Sequence, residues 1–259
     1  MKSKLIFSKK KFIEDGYCVF NFNKKFVKNI RKKILELISN TISQKKFDQK
    51  NISEKKIISL YNSKYKTDII NTFNHIAFFP ELYSFASKKE IINLVKKSGL
   101  KFPVVGFNNI GGRGGLPFLY FFPNDRKRYY QAHQDFFYLP YSKNSITLWI
   151  PLQNTSKING GLKVIPKSHK NFKIYNHSAK DVKFNKLGKN LSENKFKSIN
   201  VKLGQALIFS SFLIHKSGAN SSNQIRMSFN VRFNDLFDKE YIMRGLSFDK
   251  FPDNKLKNK

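Results

Sequence analysis

Apolar residues recur at every third or fourth position between Lys24 and Ser43, where Phe26, Val27, Ile30, Ile34, Leu37 and Ile38 share one side of a helix. The spacing predicts an amphipathic helix. Ahead of it, KKFIEDGYCVFNF (10–22) predicts a short helix, a turn at Asp15-Gly16 and a strand rich in aromatic and β-branched residues. Residues 51–98 carry further helical patterns, one closing on KEIINLVKKS with basic residues in its last turn and Gly99 as its stop. The first hundred residues are expected to be mainly helical.

After Gly99 the texture changes to short runs of Val, Ile, Phe, Tyr and Trp broken by Gly, Pro, Asn and Asp. Strands are expected near 102–109, 117–122, 131–138, 145–152, 161–165, 198–202, 205–211 and 225–233. That number suits a double-stranded β-helix (jelly roll, cupin-like) core, so the fold class is mainly β with flanking helices, preceded by a helical N-terminal region. No repeat or linker divides the chain, and 1–259 is read as a single domain. Within it, 1–100 is a mainly helical flank, 101–235 the jelly-roll core, 166–198 a lysine-rich insertion or lid, and 236–259 a C-terminal tail.

Charge is the compositional feature that changes this picture. With 49 Lys and Arg against 17 Asp and Glu, the formal net charge is +32, which raises nucleic acid as a partner because dense cations release counterions from a phosphate backbone. The lysines are spread along the whole chain together with Asn, Ile and Phe, so a compositional bias explains them better and nucleic acid is the less favoured partner. The local exception is NDRKRYY (124–130), whose Arg126, Lys127 and Arg128 read as a basic rim suited to an anionic substrate. The 27 Phe and 40% hydrophobic content argue against disorder. A lone cysteine, Cys18, excludes an intrachain disulfide, no 18-residue apolar stretch offers a membrane span, and MKSKLIFSKKKFIEDG lacks a signal-peptide core. A cytoplasmic address is expected.

Candidate chemistry begins in QAHQDFFYLP (131–140). Successive side chains of a strand alternate faces, so His133 and Asp135 are expected to point the same way and to be close enough to share an ion. A third ligand is needed. His75 lies in a helical, apolar setting and His169 and His177 in the polar loop region, whereas His215 ends the apolar run GQALIFSSFLI and could be aimed across a barrel mouth. Two imidazoles and a carboxylate with open positions suit non-haem Fe(II), although zinc uses the same donors.

The strand IRMSFNVRF (225–233) sets Ile225, Met227, Phe229, Val231 and Phe233 on one face and Arg226, Ser228, Asn230 and Arg232 on the other. An arginine inside a barrel implies an anionic partner, either a protein carboxylate or a ligand, and its fork matches a planar carboxylate. SITLWIPL (145–152) likewise places Thr147 and Trp149 opposite its apolar face, a hydroxyl and an indole N–H suited to lining a ligand site.

In this order, these pieces resemble the phytanoyl-CoA dioxygenase family of Fe(II)- and 2-oxoglutarate-dependent oxygenases. The resemblance rests on HQD at 133–135, LWIPLQNTSKINGGLKVIPKSHK at 148–170, LGQALIFSSFLIHKSGANSS at 203–222, Arg226 eleven residues after His215, and FIEDGYCVF near the N-terminus. It implies that His133, Asp135 and His215 are catalytic and bind iron, that Arg226 clamps the distal carboxylate of 2-oxoglutarate with Ser217 as a hydroxyl helper, and that Trp149 lines the cosubstrate site. Thr147, Ser228 and Gln134 join them by facing and proximity. Tyr120, Asn108 and Asn109 stand open as a further cosubstrate contact.

The implied reaction consumes O2 and 2-oxoglutarate, releases succinate and CO2, and oxidises an unactivated C–H of a small-molecule substrate, an anionic one being left open. Halogenating relatives carry a small residue at the carboxylate position, so Asp135 favours hydroxylation. The residues alone leave two alternatives: a basic nucleic-acid-binding protein, and a cupin-like metal protein without oxygenase activity.

Overall fold

A computed structural model describes residues 7–46, 52–106, 118–125, 130–137, 142–175, 177–178, 186–187 and 191–243. In the helical flank, α1 (Lys9–Asp15) starts on Ser8, whose hydroxyl accepts from the Lys11 amide, and stops at Gly16, whose left-handed φ of 83° suits a residue without Cβ. β1 (Tyr17–Asn21) follows at once. The next helix, α2 (Lys24–Lys46), buries Val27, Ile30, Ile34 and Ile38 as the spacing requires, while Leu37 is 42% exposed. α3 (Glu54–Tyr61), α4 (Lys66–His75), α5 (Pro80–Ala86) and α6 (Lys89–Ser98) complete the flank, with Gly99 capping the last.

The later strands are β2 (Pro103–Gly106), β3 (Phe118–Phe121), β4 (Ile146–Pro151), β5 (Leu162–Val164), β6 (His177–Ser178), β7 (Lys186–Leu187), β8 (Lys197–Ser198), β9 (Gln205–Ser210), β10 (His215–Ser217) and β11 (Arg226–Asp235), followed by α7 (Lys239–Met243). A six-stranded sheet runs β1-β9-β4-β11-β2, with β3 also pairing β11, and a three-stranded sheet runs β10-β5-β8. Pairing within both is antiparallel. This is the mainly β architecture with a helical N-terminal flank that the periodicity predicts.

Two apolar clusters explain why the faces segregate. Ile146, Leu148 and Ile150 of β4 and Met227, Phe229, Val231 and Phe233 of β11 pack with helical residues such as Ile34, Phe73 and Phe85. On the other side, Trp149, Leu207 and Phe209 of the large sheet meet Leu162 and Val164 of the small one. With apolar residues claiming the helix side, the alternate side chains of β4 and β11 are directed between the sheets. Both strands are buried along their whole length, so their polar residues are enclosed and need partners there.

Both ends of β11 are fastened. At its start, Glu54 accepts from the Ile225 amide at 2.7 Å while gripping Arg31, and Gln153 accepts from the Met227 amide at 3.2 Å. At its end, Asp235 accepts from the Lys101 and Phe102 amides and from Asn144, and burial that would raise its carboxyl is outweighed by these bonds, so its pKa is lowered.

Two expectations are corrected. Of the strand expected over 131–138, residues 131–137 are described and do not form one: His133 makes an isolated antiparallel bridge to His215, and Asp135–Phe137 is a 3-10 turn. The ladder ends there because the Gln134 side chain and the Phe136 amide bond to the Phe212 and Ser211 carbonyls instead. His215 does not trail off β9 but opens β10 in the second sheet, opposite Val164. The stretch 166–198 holds 3-10 turns at Lys170–Phe172 and Glu193–Lys195 and the β6-β7 pair, and the tail begins with α7. Asn108, Asn109, the 111–117 glycine-rich stretch and the basic residues Arg126, Lys127 and Arg128 lie outside the described residues. Among the described residues, no helix is long and apolar enough to cross a membrane.

Candidate metal centre

The bridge between His133 and His215 brings two distant segments together, with mutual backbone hydrogen bonds of 2.9 and 3.0 Å. Each imidazole turns its Nδ1 to a carbonyl two residues back, Gln131 at 2.6 Å and Leu213 at 2.9 Å. A carbonyl only accepts, so both Nδ1 atoms carry a proton and the Nε2 atoms are the ring nitrogens turned toward Asp135. Those Nε2 atoms lie 3.7 Å (His133) and 3.9 Å (His215) from Asp135 Oδ1. All three residues are buried, and their ligand atoms lie within 4.8 Å of one another.

Electrostatics keep the donors in the forms a cation requires. Burial lowers the His215 pKa, a shift that Asp135 opposes, so the imidazole is held neutral. Burial alone would raise the Asp135 carboxyl, but the Arg232 guanidinium, by its charge and its hydrogen bonds, holds it well below the usual carboxylate range. The Arg232 fork donates to Oδ1 from Nη2 at 3.0 Å and to Oδ2 from Nε at 3.3 Å, and Thr147 donates to Oδ2 at 2.5 Å. Two imidazoles and an ionised carboxylate form a donor set that fits a divalent first-row metal.

Along the same face of β11, Arg226 is fully buried. It donates to Ser228 Oγ at 2.6 Å and to Ser217 Oγ at 3.5 Å, and its guanidinium carbon lies 3.9 Å from the Phe121 ring centroid and 5.8 Å from that of Trp149. Backbone packs tightly beside it. A Cβ on Gly160 would come within 3.6 Å of Arg226 Nε, and one on Gly218 within 2.8 Å of the Gly161 carbonyl. Between the two arginines, Asn230 and Trp149 are register partners on β11 and β4. Their Oδ1 and Nε1 atoms are buried without a hydrogen-bond partner among the described residues. Orphaned polar atoms of this kind fit a polar ligand lying between Arg226 and the triad.

The structure thus gathers His133, Asp135, His215, Thr147, Trp149, Arg226, Ser228 and Ser217 into one region between the sheets. Thr147 lies on the Asp135 carboxylate and not on Arg226. Other sequence candidates lie elsewhere. Gln134 faces away from the triad and binds the Lys173 and Phe212 carbonyls and the Tyr175 amide. The Tyr120 hydroxyl reaches Ile70 and Asn74 on α4. His75 bonds within its own helix, and His169 meets the Ile13 carbonyl. The role missed from sequence is that of Arg232, seen only as a second inward arginine, because alternation assigns a face and not a partner.

Comparison with known proteins places these observations in context. A family model described as Phytanoyl-CoA dioxygenase (PhyH) matches residues 12–228. The 1-deoxypentalenic acid 11-beta-hydroxylases of Streptomyces arenae and Streptomyces exfoliatus are 30% and 32% identical over 113 residues, which is 39% of this chain and 39% of each relative. The match therefore spans well under half the length of these curated relatives. Among solved structures, EctD from S. alaskensis in its apoform is similar with a TM-score of 0.60 at 16% identity, covering 92% of this chain and 80% of that one. The non-heme alpha ketoglutarate dependent carbocyclase SnoK from nogalamycin biosynthesis gives 0.55 at 15% identity, covering 88% and 82%. At such identities the likeness is one of fold.

Proposed function

The chain belongs to the phytanoyl-CoA dioxygenase family, and from that premise we propose that it is a non-haem Fe(II)- and 2-oxoglutarate-dependent dioxygenase that hydroxylates a small or medium-sized organic substrate. The observation that carries this reading is the convergence of the His133 and His215 imidazoles and the Asp135 carboxylate, whose ligand atoms lie within 4.8 Å of one another. His133, Asp135 and His215 would hold the iron. Fe(II) with 2-oxoglutarate and O2 supplies the oxidising chemistry, in which succinate and CO2 are released.

The chain's own residues do the rest. Arg226 presents two donors to the distal carboxylate of the cosubstrate, helped by Ser217 and Ser228, which fix the orientation of its fork. Trp149 and Asn230 offer a donor and an acceptor to the stretch between that carboxylate and the metal. Phe121, the Trp149 ring and Phe209 exclude water, which strengthens each of these polar contacts.

An anionic substrate is part of the proposal. The formal charge of +32 raises the local concentration of anions, and the two curated relatives are, by name, hydroxylases of an acid. The test is reconstitution of the purified chain under anaerobic conditions with Fe(II) and 2-oxoglutarate, followed by oxygenation and a succinate-release screen across organic acids and neutral metabolites. The reading expects substrate-stimulated succinate that disappears in His133→Ala. Absence of succinate with every class, including the slow uncoupled background, would count against it.

A further inference from the structure

We propose that Arg232 and Thr147 are positioning residues that restrict Asp135 to a single metal-facing oxygen, so that the carboxylate occupies one coordination position and not two. The inference rests on the metal reading above. Asp135 Oδ1 faces both imidazole Nε2 atoms, at 3.7 and 3.9 Å, and accepts from Arg232 Nη2 at 3.0 Å. Oδ2 is engaged on its other side, by the Thr147 hydroxyl at 2.5 Å and Arg232 Nε at 3.3 Å. For Asp135 to chelate an ion with both oxygens, Oδ2 would have to leave a hydroxyl and a guanidinium that are both largely buried. Charge-assisted bonds in such surroundings are the strong kind, and a donor abandoned there finds no water to replace them.

The source of the two donors makes the restraint stiff. Arg232 and Thr147 are directly opposite register partners on β11 and β4, two adjacent strands buried along their length. No loop intervenes between the donors, so neither can follow the carboxylate if it rotates. Arginine is suited to this task where lysine is not, because its planar fork engages both oxygens at once and fixes the carboxylate plane.

The consequence is a count of positions. Two imidazoles and one carboxylate oxygen would offer an ion three donors and would leave its remaining positions for ligands. A chelating Asp135 would remove one of those places. The Arg232–Asp135 pair also balances its own charge, so the carboxylate would add little repulsion toward an anionic ligand.

Co(II) is the probe, added to the purified full chain without cosubstrate and followed by calorimetry and by its visible absorption, whose intensity reports coordination number. Arg232→Lys keeps the charge but loses the fork, and it is expected to weaken Co(II) binding by ~10–100-fold and to change band intensity. Thr147→Val should change the spectrum in the same direction with a smaller loss of affinity, and Thr147→Ser should restore the wild-type spectrum. If Arg232→Lys does not fold, as judged by circular dichroism, the Thr147 pair carries the test alone. Wild-type affinity and spectrum in the folded variants would overturn the proposal. Failure of the wild-type chain to bind Co(II) would overturn the metal reading itself, and this inference with it.

Discussion

Arg226 and Arg232 lie six residues apart on one strand, on one face, both enclosed between the sheets, and yet they meet different chemistry. At the Arg232 end the guanidinium charge is cancelled within the protein by Asp135, and the pair serves the carboxylate. At the Arg226 end the named neighbours are the hydroxyls of Ser228 and Ser217 and the faces of Phe121 and Trp149. Residue type is the same and both side chains are buried, so neither property assigns the role. The proposed roles differ through the named contacts: Arg232 is read as serving Asp135, and Arg226 as the clamp for the 2-oxoglutarate carboxylate.

The comparison is broken most severely by removing the internal carboxylate. Asp135→Ala leaves Arg232 a buried charge without its partner, and urea denaturation of the metal-free protein should show a loss of ~3–5 kcal/mol. Equal stability of variant and wild type would mean that the pair is not buried as described. The opposite end should respond in binding. Arg226→Ala is expected to weaken 2-oxoglutarate by ~2–5 kcal/mol in anaerobic titrations while leaving Co(II) affinity near wild type. Equal loss of metal and cosubstrate would erase the distinction between the two arginines.

A pH series sharpens the contrast further. The Asp135 carboxyl is depressed in the fold, so its contribution is fully present above the unfolded value of ~3.9 and is lost as pH falls toward the folded one. Asp135→Asn should therefore flatten the acid limb of stability below about pH 4, whereas Arg226→Ala should leave that limb in place. The smallest effect is expected from Ser217→Ala. Its contact with Arg226 is 3.5 Å long, so cosubstrate affinity should fall by no more than ~0.5–1.5 kcal/mol.

Much of this was legible in the sequence, for reasons that differ by element. The α2 helix could be read because Val27, Ile30, Ile34 and Ile38 repeat at helical spacing over several turns, and β11 because four apolar residues alternate with polar ones. The same alternation foretold which sides of β4 and β11 meet the helices. The geometry of 131–137 was not legible. A period of two in HQD is equally compatible with a strand and with a bridge followed by a 3-10 turn, and the bonds that decide come from Ser211, Phe212 and Lys173, far away in the chain.

The same limit applies to the site. His133, Asp135, His215 and Arg226 could be nominated from residue type and order, but the pairing of Asp135 with Arg232 and Thr147 depends on β4 and β11 being neighbours in a particular register. The orphaned atoms of Trp149 and Asn230 are likewise a product of that register, since neither residue is unusual in its local sequence.

The most direct test is the visible charge-transfer absorption that a 2-oxo acid chelated to Fe(II) produces under anaerobic conditions. The wild-type chain should develop this band on addition of Fe(II) and 2-oxoglutarate, His133→Ala should not, and Arg226→Ala should need at least about thirtyfold more 2-oxoglutarate to reach half-intensity. No band in the wild-type protein, or an undiminished one in His133→Ala, would contradict the convergence of the two imidazoles, the carboxylate and the guanidinium on one functional site.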